Sequence, residues 1–183
     1  MRAAKSALLG TKTMKLIFET PRLALREMTE EDLDFVAEML ADPEVMRYYP
    51  KCYSRQEADA WLRRMLDRYA RDGHALWLVQ DRVTRQSLGQ VGLLMQTVSG
   101  VSEAEVGYLI HRPFWRTGYA TEAAAATRDY AFASLGKPNV ISLIRPENLP
   151  SQGVARKLGM SARPGTVPHG GFEHLVFEVR APA

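Results

Sequence analysis

Between Glu105 and Glu122 an alternating segment passes Arg112-Pro113 and runs into RTGYATEAAAATRDYAFASLG. A strand is therefore followed by a glycine-containing turn that opens directly into an alanine-rich helix. In the strand, Glu105, Gly107, Leu109 and His111 share one face, and Val106, Tyr108 and Ile110 the other. The helix is expected from about Gly118 to Ser134, closed by Gly136 and Pro138. Such a helix start leaves main-chain N–H groups from Arg116 to Thr121 without intrahelical partners and puts the positive end of the macrodipole beside them. Anions bind at such places. Gly118 lets a phosphate approach the backbone, Ala120 adds little bulk, and Arg116 brings a guanidinium. The same residues also read as a tight turn at Gly118 with Thr117 or Thr121 capping the helix.

Mixed short elements surround this unit. Leu23 to Arg26 alternates as a strand does, and Thr29 then offers an N-cap to a helix with Leu33, Val36, Ala37 and Leu40 at helical spacing, ended by Asp42-Pro43. Ser54 and Glu57 form a capping box for a second helix carrying Ala58, Trp61, Leu62, Met65 and Tyr69, stopped by Gly73. Ala75–Gln80 and Leu88–Thr97 read as an antiparallel hairpin across a polar turn. Val140–Ile144 is a short apolar strand expected to be central, Ser151–Leu158 a short helix ended by Gly159, and His174–Arg180 a last strand. Together they specify an α/β sheet of mixed direction with helices on both faces.

The formal net charge of +3 does not specify a nucleic-acid partner, because Arg2, Lys5 and Lys12 supply it and the remainder is formally neutral. Residues 1–13 are expected to be a disordered extension, with 14–183 a single domain starting at Met14. One cysteine, Cys52, excludes an internal disulfide framework, and no apolar run reaches the roughly 18 residues of a membrane span. A cytoplasmic setting follows as the expectation. The four histidines form no metal-ligand spacing with Cys52, and Cys52 has no base spaced to activate it.

No G-x-x-x-x-G-K-[ST] occurs, and no G-x-G-x-x-G follows the first strand, which removes the P-loop ATPase and the Rossmann dehydrogenase. The stretch Trp115-Arg116-Thr117-Gly118-Tyr119-Ala120 instead resembles the acetyl-CoA pyrophosphate loop, [QR]-x-x-G-x-[GA], of the GNAT N-acetyltransferase superfamily. Trp115 departs at the first position, yet GYLIHRPFWRTGYATEA looks like the RimJ/RimL-type branch. A second motif, Asn148-Leu149-Pro150-Ser151 through Lys157-Leu158-Gly159-Met160, is similar to N-x-x-S-x-x-V-x-x-K-L-G-F, with Met160 for Phe and Gly153 inside the short helix. Thr20 to Arg26, T-P-R-L-x-L-R, also matches, so the likeness spans roughly residues 15 to 179.

The resemblance implies a single-domain, mostly antiparallel sheet in which the strand before the loop splays from a parallel neighbour at a bulge. It implies acetyl-CoA as co-substrate, its diphosphate on Arg116, Thr117, Gly118, Tyr119, Ala120 and Thr121. The pantetheine arm would lie along Tyr108, Leu109 and Ile110 and bond Asn148, which reads alternatively as a turn or cap residue. An N–H near Ile110 would polarise the thioester carbonyl. Glu105 is the candidate base, against a solvated strand-face charge, and Ser151 the candidate proton donor, against an N-cap. Tyr119 would cover the cofactor and Tyr108 pack. Tyr48 and Tyr49, with Tyr53, would wall the acceptor site, against a core-edge role, and His111 reads as a surface residue at the strand end, against a proton relay near the loop. The expected activity is direct acetyl transfer to a primary amine, a protein N-terminus or a small molecule, by a monomer or homodimer without metal. The alternatives are a non-catalytic acyl-CoA-binding module and nucleic-acid binding through the basic tail.

Overall fold

The structure, a computed structural model, describes residues 14–182; the extension expected at residues 1–13 lies outside them. Nine strands and four helices follow in chain order: β1 (Leu16–Glu19), β2 (Leu23–Arg26), α1 (Leu33–Ala41), α2 (Arg55–Asp72), β3 (Leu76–Asp81), β4 (Ser87–Val98) and β5 (Val101–Ile110). Then come α3 (Tyr119–Ala133), β6 (Asn139–Ile144), α4 (Leu149–Lys157), β7 (Ser161–Ala162), β8 (Val167–His169) and β9 (Phe172–Arg180). The main sheet runs β1-β2-β3-β4-β5-β6-β9-β7, with β8 paired to β9. Every pairing is antiparallel except β5 with β6. The expected mixed α/β sheet with a central parallel pair is the one observed.

Local chemistry sets the helix limits. Ser54 and Glu57 close the capping box that opens α2, and Gly73 ends it in the left-handed region at φ 76°. At α1 a 3-10 turn, Glu30–Asp32, comes first, and Thr29 and Asp32 cap it reciprocally. Asp32 is also held by the Arg26 guanidinium of β2 through two bonds of 2.7 and 2.8 Å, both side chains only 9% exposed. That fork fixes the entry of α1 against the sheet.

Side-chain alternation divides the core between the two faces of the sheet. Trp77, Val79, Val106, Ile110, Val140 and Ile144 pack with α3 and α4 residues such as Ala123, Ala124, Ala131 and Ala155. On the other face, Leu76 and Leu78 pack with α1 and α2 through Val36, Met39, Leu62 and Met65. A separate small cluster, Val98, Ile141 and Val176, lies further along that second face. The alanine-rich sequence of α3 suits this arrangement, because small side chains let the helix approach the sheet closely.

The hairpin of β4 on β3 demands glycine at one position. A Cβ on Gly92 would stand 2.1 Å from the Ala75 carbonyl oxygen and 2.8 Å from Leu76 Cα, both main-chain atoms that cannot swing aside. Replacing Gly92 by Ala is therefore expected to lower unfolding free energy by about 2–3 kcal/mol through forced strand separation. Urea denaturation with an unchanged m value would show it; a midpoint equal to that of the unaltered chain would refute the packing argument.

Candidate active site

The site begins where the parallel pair fails. Between β5 and β6 the register holds one opposed pair, Glu105 with Ile141. Past it, side chains occupy the groups a longer ladder would use: Ser142 Oγ donates to the Val106 carbonyl at 2.8 Å, and the Leu143 N–H donates to Glu105 Oε1 at 3.3 Å. The strands separate from there toward Ile110 and Ile144. The expected bulge is absent from β5, whose register on β4 runs without a shift from Gly89 opposite Ile110 to Val98 opposite Val101. Divergence from β6, not a break in β5, opens the split.

Alternation decides which main-chain groups face that split. The Val106 carbonyl points toward β6, so the N–H and C=O groups of Tyr108 and Ile110 point the same way. Leu109 turns its main chain toward Gln90 of β4 and offers the cavity its side chain. Trp115, the departure in the loop motif, donates its indole Nε1–H to the Ile110 carbonyl at 2.6 Å, tying the loop to the end of β5.

The loop itself has a conformation that spacing alone does not reveal. Arg116 is left-handed at φ 62°, and Gly118, the N-cap of α3, is left-handed at φ 83°. Thr117 Oγ1 donates to the Phe114 carbonyl, and α3 has no side-chain N-cap bond, so the threonine-cap alternative is not realised. The Glu122 N–H bonds the Gly118 carbonyl, which leaves the N–H groups of Tyr119, Ala120 and Thr121 without helical partners. Arg22, from the turn before β2, reaches across about 100 residues of sequence. Its Nη1 donates to the Thr117 carbonyl at 3.0 Å, its Nε to Glu122 Oε2 at 2.6 Å, and its guanidinium lies 4.7 Å from the Tyr119 ring centre. Partial burial pushes the Glu122 carboxyl up, but bonds from Thr20 and from the Arg22 side chain and N–H outweigh it and hold its pKa below the usual value.

A cavity of about 320 Å³ lies on the α1/α2 face between the two apolar clusters and reaches the split. Glu105, Tyr108, Leu109, Asn148, Ser151, Tyr48 and Tyr49 all line it. Burial pushes the Glu105 carboxyl above the ordinary range, although Gln96 Nε2 donates to it at 2.7 Å and the Leu143 N–H also stabilises its charge. Glu105 is thus a held, partly desolvated carboxyl and not a solvated strand charge. Asn148 is the N-cap of α4: its Oδ1 accepts the Ser151 N–H at 3.1 Å, and its amide nitrogen has no protein partner among the described residues. Ser151 is therefore not the cap; its carbonyl accepts the Tyr108 hydroxyl at 2.7 Å. Tyr49 is 45% exposed, yet its hydroxyl end is desolvated within the cavity, with Glu105 and Tyr53 nearby, and its pKa is pushed up to about 12.

Several residues of the site escape the sequence reading. Arg22 belongs to a matched string, but nothing local tells that its side chain folds onto the α3 turn. Arg145, His169, Phe172 and His174 enter the cavity from the end of β6 and from the β8–β9 hairpin, which the sequence does not announce. Gln90, 4% exposed, lines it with a side-chain oxygen that has no hydrogen-bond partner among the described residues. His111 corrects the expectation of a surface position: it is 8% exposed and packs edge-on against Phe35 and Phe114. Gly153 has nothing within 4 Å of a built Cβ, so no packing explains it. Cys52 is exposed, and no group of three or more His, Cys, Asp or Glu among the described residues could hold a metal ion.

Residues 22–161 match the acetyltransferase (GNAT) domain family. Among similar proteins, the uncharacterized protein YkkB of Bacillus subtilis (strain 168) is 34% identical over 142 residues, 77% of this chain and 83% of YkkB. The uncharacterized N-acetyltransferase YoaA of the same organism is 28% identical over 145 residues, 78% of this chain and 81% of YoaA. An acetyltransferase from Agrobacterium tumefaciens str. C58 superposes with a TM-score of 0.79 at 26% identity, covering 97% of this chain and 100% of that one. The family match takes in the split strands, the loop anchored by Arg22 and both helices that follow, and the chain belongs to the GNAT acetyltransferase family.

Proposed function

We propose that this protein is a cytoplasmic N-acetyltransferase of RimJ/RimL type, moving the acetyl group of acetyl-CoA directly onto a primary amine. The observation that carries the reading is the split beside Glu105: a desolvated carboxyl stands at its apex, an unpaired strand edge runs from it, and Trp115 ties the start of α3 to the far end of that edge. The residues present fit the carrier. The N–H groups of Tyr119, Ala120 and Thr121, with the Arg116 guanidinium and the side-chain-free Gly118, take the diphosphate. The Tyr108 carbonyl and the Ile110 N–H pair with the amides of the pantetheine arm, and the Asn148 amide nitrogen adds a donor. Thr117 shapes the turn, Tyr119 stacks under Arg22, and Leu109 supplies apolar wall.

Direct transfer needs a neutral amine, a polarised carbonyl and a proton for the leaving thiolate. Glu105 accepts the amine proton, itself or through one water; a carboxyl raised by burial is a stronger base than a solvated one. The Tyr108 N–H, the first parted main-chain donor beyond Glu105, donates to the thioester oxygen as charge develops there. The amine nitrogen bonds the acetyl carbon, the carbon–sulfur bond breaks, and the Ser151 hydroxyl supplies the thiolate proton. Tyr48 and Tyr49 wall the amine side.

Gly118→Ala places a side chain in the diphosphate cradle at a backbone angle that costs about 1 kcal/mol for a residue with Cβ. Acetyl-CoA affinity measured by calorimetry is expected to fall about tenfold or more. Unchanged affinity would remove the cradle.

Glu105→Gln is expected to reduce kcat about 100-fold or more, and Ser151→Ala to reduce it by a smaller factor, with acetyl-CoA affinity preserved in both. Glu105 works deprotonated, so kcat/KM should fall as pH drops through a pKa above the ordinary carboxylate value. That limb vanishes in Glu105→Gln, while the limb set by the amine's own pKa remains. Unchanged turnover in both single variants and the double variant refutes the catalytic roles; no turnover with any amine beside intact acetyl-CoA binding points to a binding module.

A further inference from the structure

The amine side of the cavity is more specific than acetyl transfer alone requires. Tyr48, Tyr49, Tyr53, Trp61 and Phe172 line it, which is a concentration of flat apolar surface. Glu105 is the single acid among the described lining residues, which also include Arg145, His169 and His174, and His169 lies near enough to act on its charge. Arg145 lies 4.0 Å over the Phe172 ring, donates to the Tyr48 carbonyl at 3.4 Å and pairs with Glu147. The rings of His169 and His174 meet edge-on at 5.5 Å, and burial holds His174 below its usual pKa. One acceptor cation therefore has a carboxylate to meet, and a second would find none among the described lining residues.

Two carboxamides of β4 enter the same cavity. Gln96 is engaged with Glu105. Gln90 is buried, and its side-chain oxygen finds no donor among the described residues. A buried amide oxygen left unpaired is unfavourable, and a ligand O–H or N–H would satisfy it. Gln90 stands opposite Leu109, four positions along β5 from Glu105 and on the same face of the sheet. Roughly 13 Å of strand separates their main chains, and both side chains reach inward to shorten that span.

Resting on the N-acetyltransferase reading, we infer that the acceptor is an aromatic monoamine carrying a hydroxyl on its ring, and that Gln90 is the residue selecting that hydroxyl. The amine meets Glu105, the ring lies among the tyrosines of the α1–α2 connection and Phe172, and the hydroxyl donates to the Gln90 side-chain oxygen. A polyamine or aminoglycoside brings further cations for which the described lining holds no second carboxylate.

The test compares tyramine, 2-phenylethylamine, spermidine, kanamycin and an alanine-terminated peptide. Thiol release with acetyl-CoA gives kcat/KM, and calorimetry gives binding of each amine to the full-length protein. Tyramine is expected to exceed spermidine, kanamycin and the peptide at least tenfold, and 2-phenylethylamine about tenfold, in kcat/KM or, where turnover is absent, in affinity. Gln90→Leu should bring tyramine and 2-phenylethylamine level without changing the KM for acetyl-CoA. The comparison of these two amines on the unaltered protein stands even where the variant does not fold. Preference for spermidine, kanamycin or the peptide, equal values for tyramine and 2-phenylethylamine, a preference that survives Gln90→Leu, or no amine binding each overturns the inference. Acetyl-CoA binding and acetylation of any other amine would leave the broader acetyltransferase reading standing.

Discussion

The Glu105 carboxylate takes a hydrogen bond from the Leu143 N–H, a group that a continued parallel ladder would have given to the main chain of β5. Much else follows from that substitution of side chain for backbone. Because Leu143 and the Val106 carbonyl are satisfied by Glu105 and Ser142, the point where β5 and β6 part strands neither group, and the unpaired edge begins only at Tyr108. Parting removes the sheet surface on which the α1/α2 core would have continued, so that face carries two apolar clusters with a cavity between them. The same opening leaves Glu105 partly desolvated at its apex. One residue thus helps hold the strands apart and stands where the parted strands expose an edge.

The turn before α3 depends on a distant residue in a comparable way. Arg116 and Gly118 are both left-handed, and a residue with Cβ is held at that angle only when its surroundings over-determine it. Here the Trp115 indole pins one side to Ile110, and Arg22 pins the other through the Thr117 carbonyl and Glu122. Arg22 is itself fixed by its own N–H on Glu122, with Thr20 on the same carboxylate. This network aims the free N–H groups of α3 before any ligand arrives, so little ordering remains to be done on binding.

What the sequence makes legible is what local chemistry decides. The Ser54–Glu57 box, the Gly73 stop, the alternation through Glu105–Ile110 and the glycine start of α3 are each written within a few residues, and each appears where its pattern places it. The two-residue β7 and three-residue β8 are too short for a period to register, and β1, Leu-Ile-Phe-Glu, runs three apolar residues together without alternation. The bulge was expected by resemblance alone, and the observed register shows that divergence suffices. Arg22, Gln90, Arg145 and the histidines of the β8–β9 hairpin are positioned by tertiary contacts, so no spacing rule reaches them. His111 was misread for the same reason: a residue at a strand end is exposed only if nothing packs over it, and Phe35 of α1 does.

A wedge-shaped gap in a sheet needs its closed end held, or the parted strands would re-pair or drift. Arg163, just after β7, forks onto Glu103 of β5 at 2.6 and 2.8 Å and reaches Glu178 of β9, while Asn139 of β6 donates to Glu103 at 3.0 Å. Both strands of the parallel pair, and β9 beyond β6, are thereby tied at the end where the strands still meet. The guanidinium holds the Glu103 carboxyl below its usual pKa, so the pair stays charged across the ordinary pH range. Glu103 is only 8% exposed, and a charge so placed is tolerable only with its partner present. The same sheet therefore keeps one carboxylate low and paired at the closed end and another, Glu105, high and available two residues on. The main chains of Glu103 and Glu105 both face β4, and their side chains share a face. What separates the two carboxyls is position along the wedge: at one end three strands converge on an arginine, and at the other they open around a cavity.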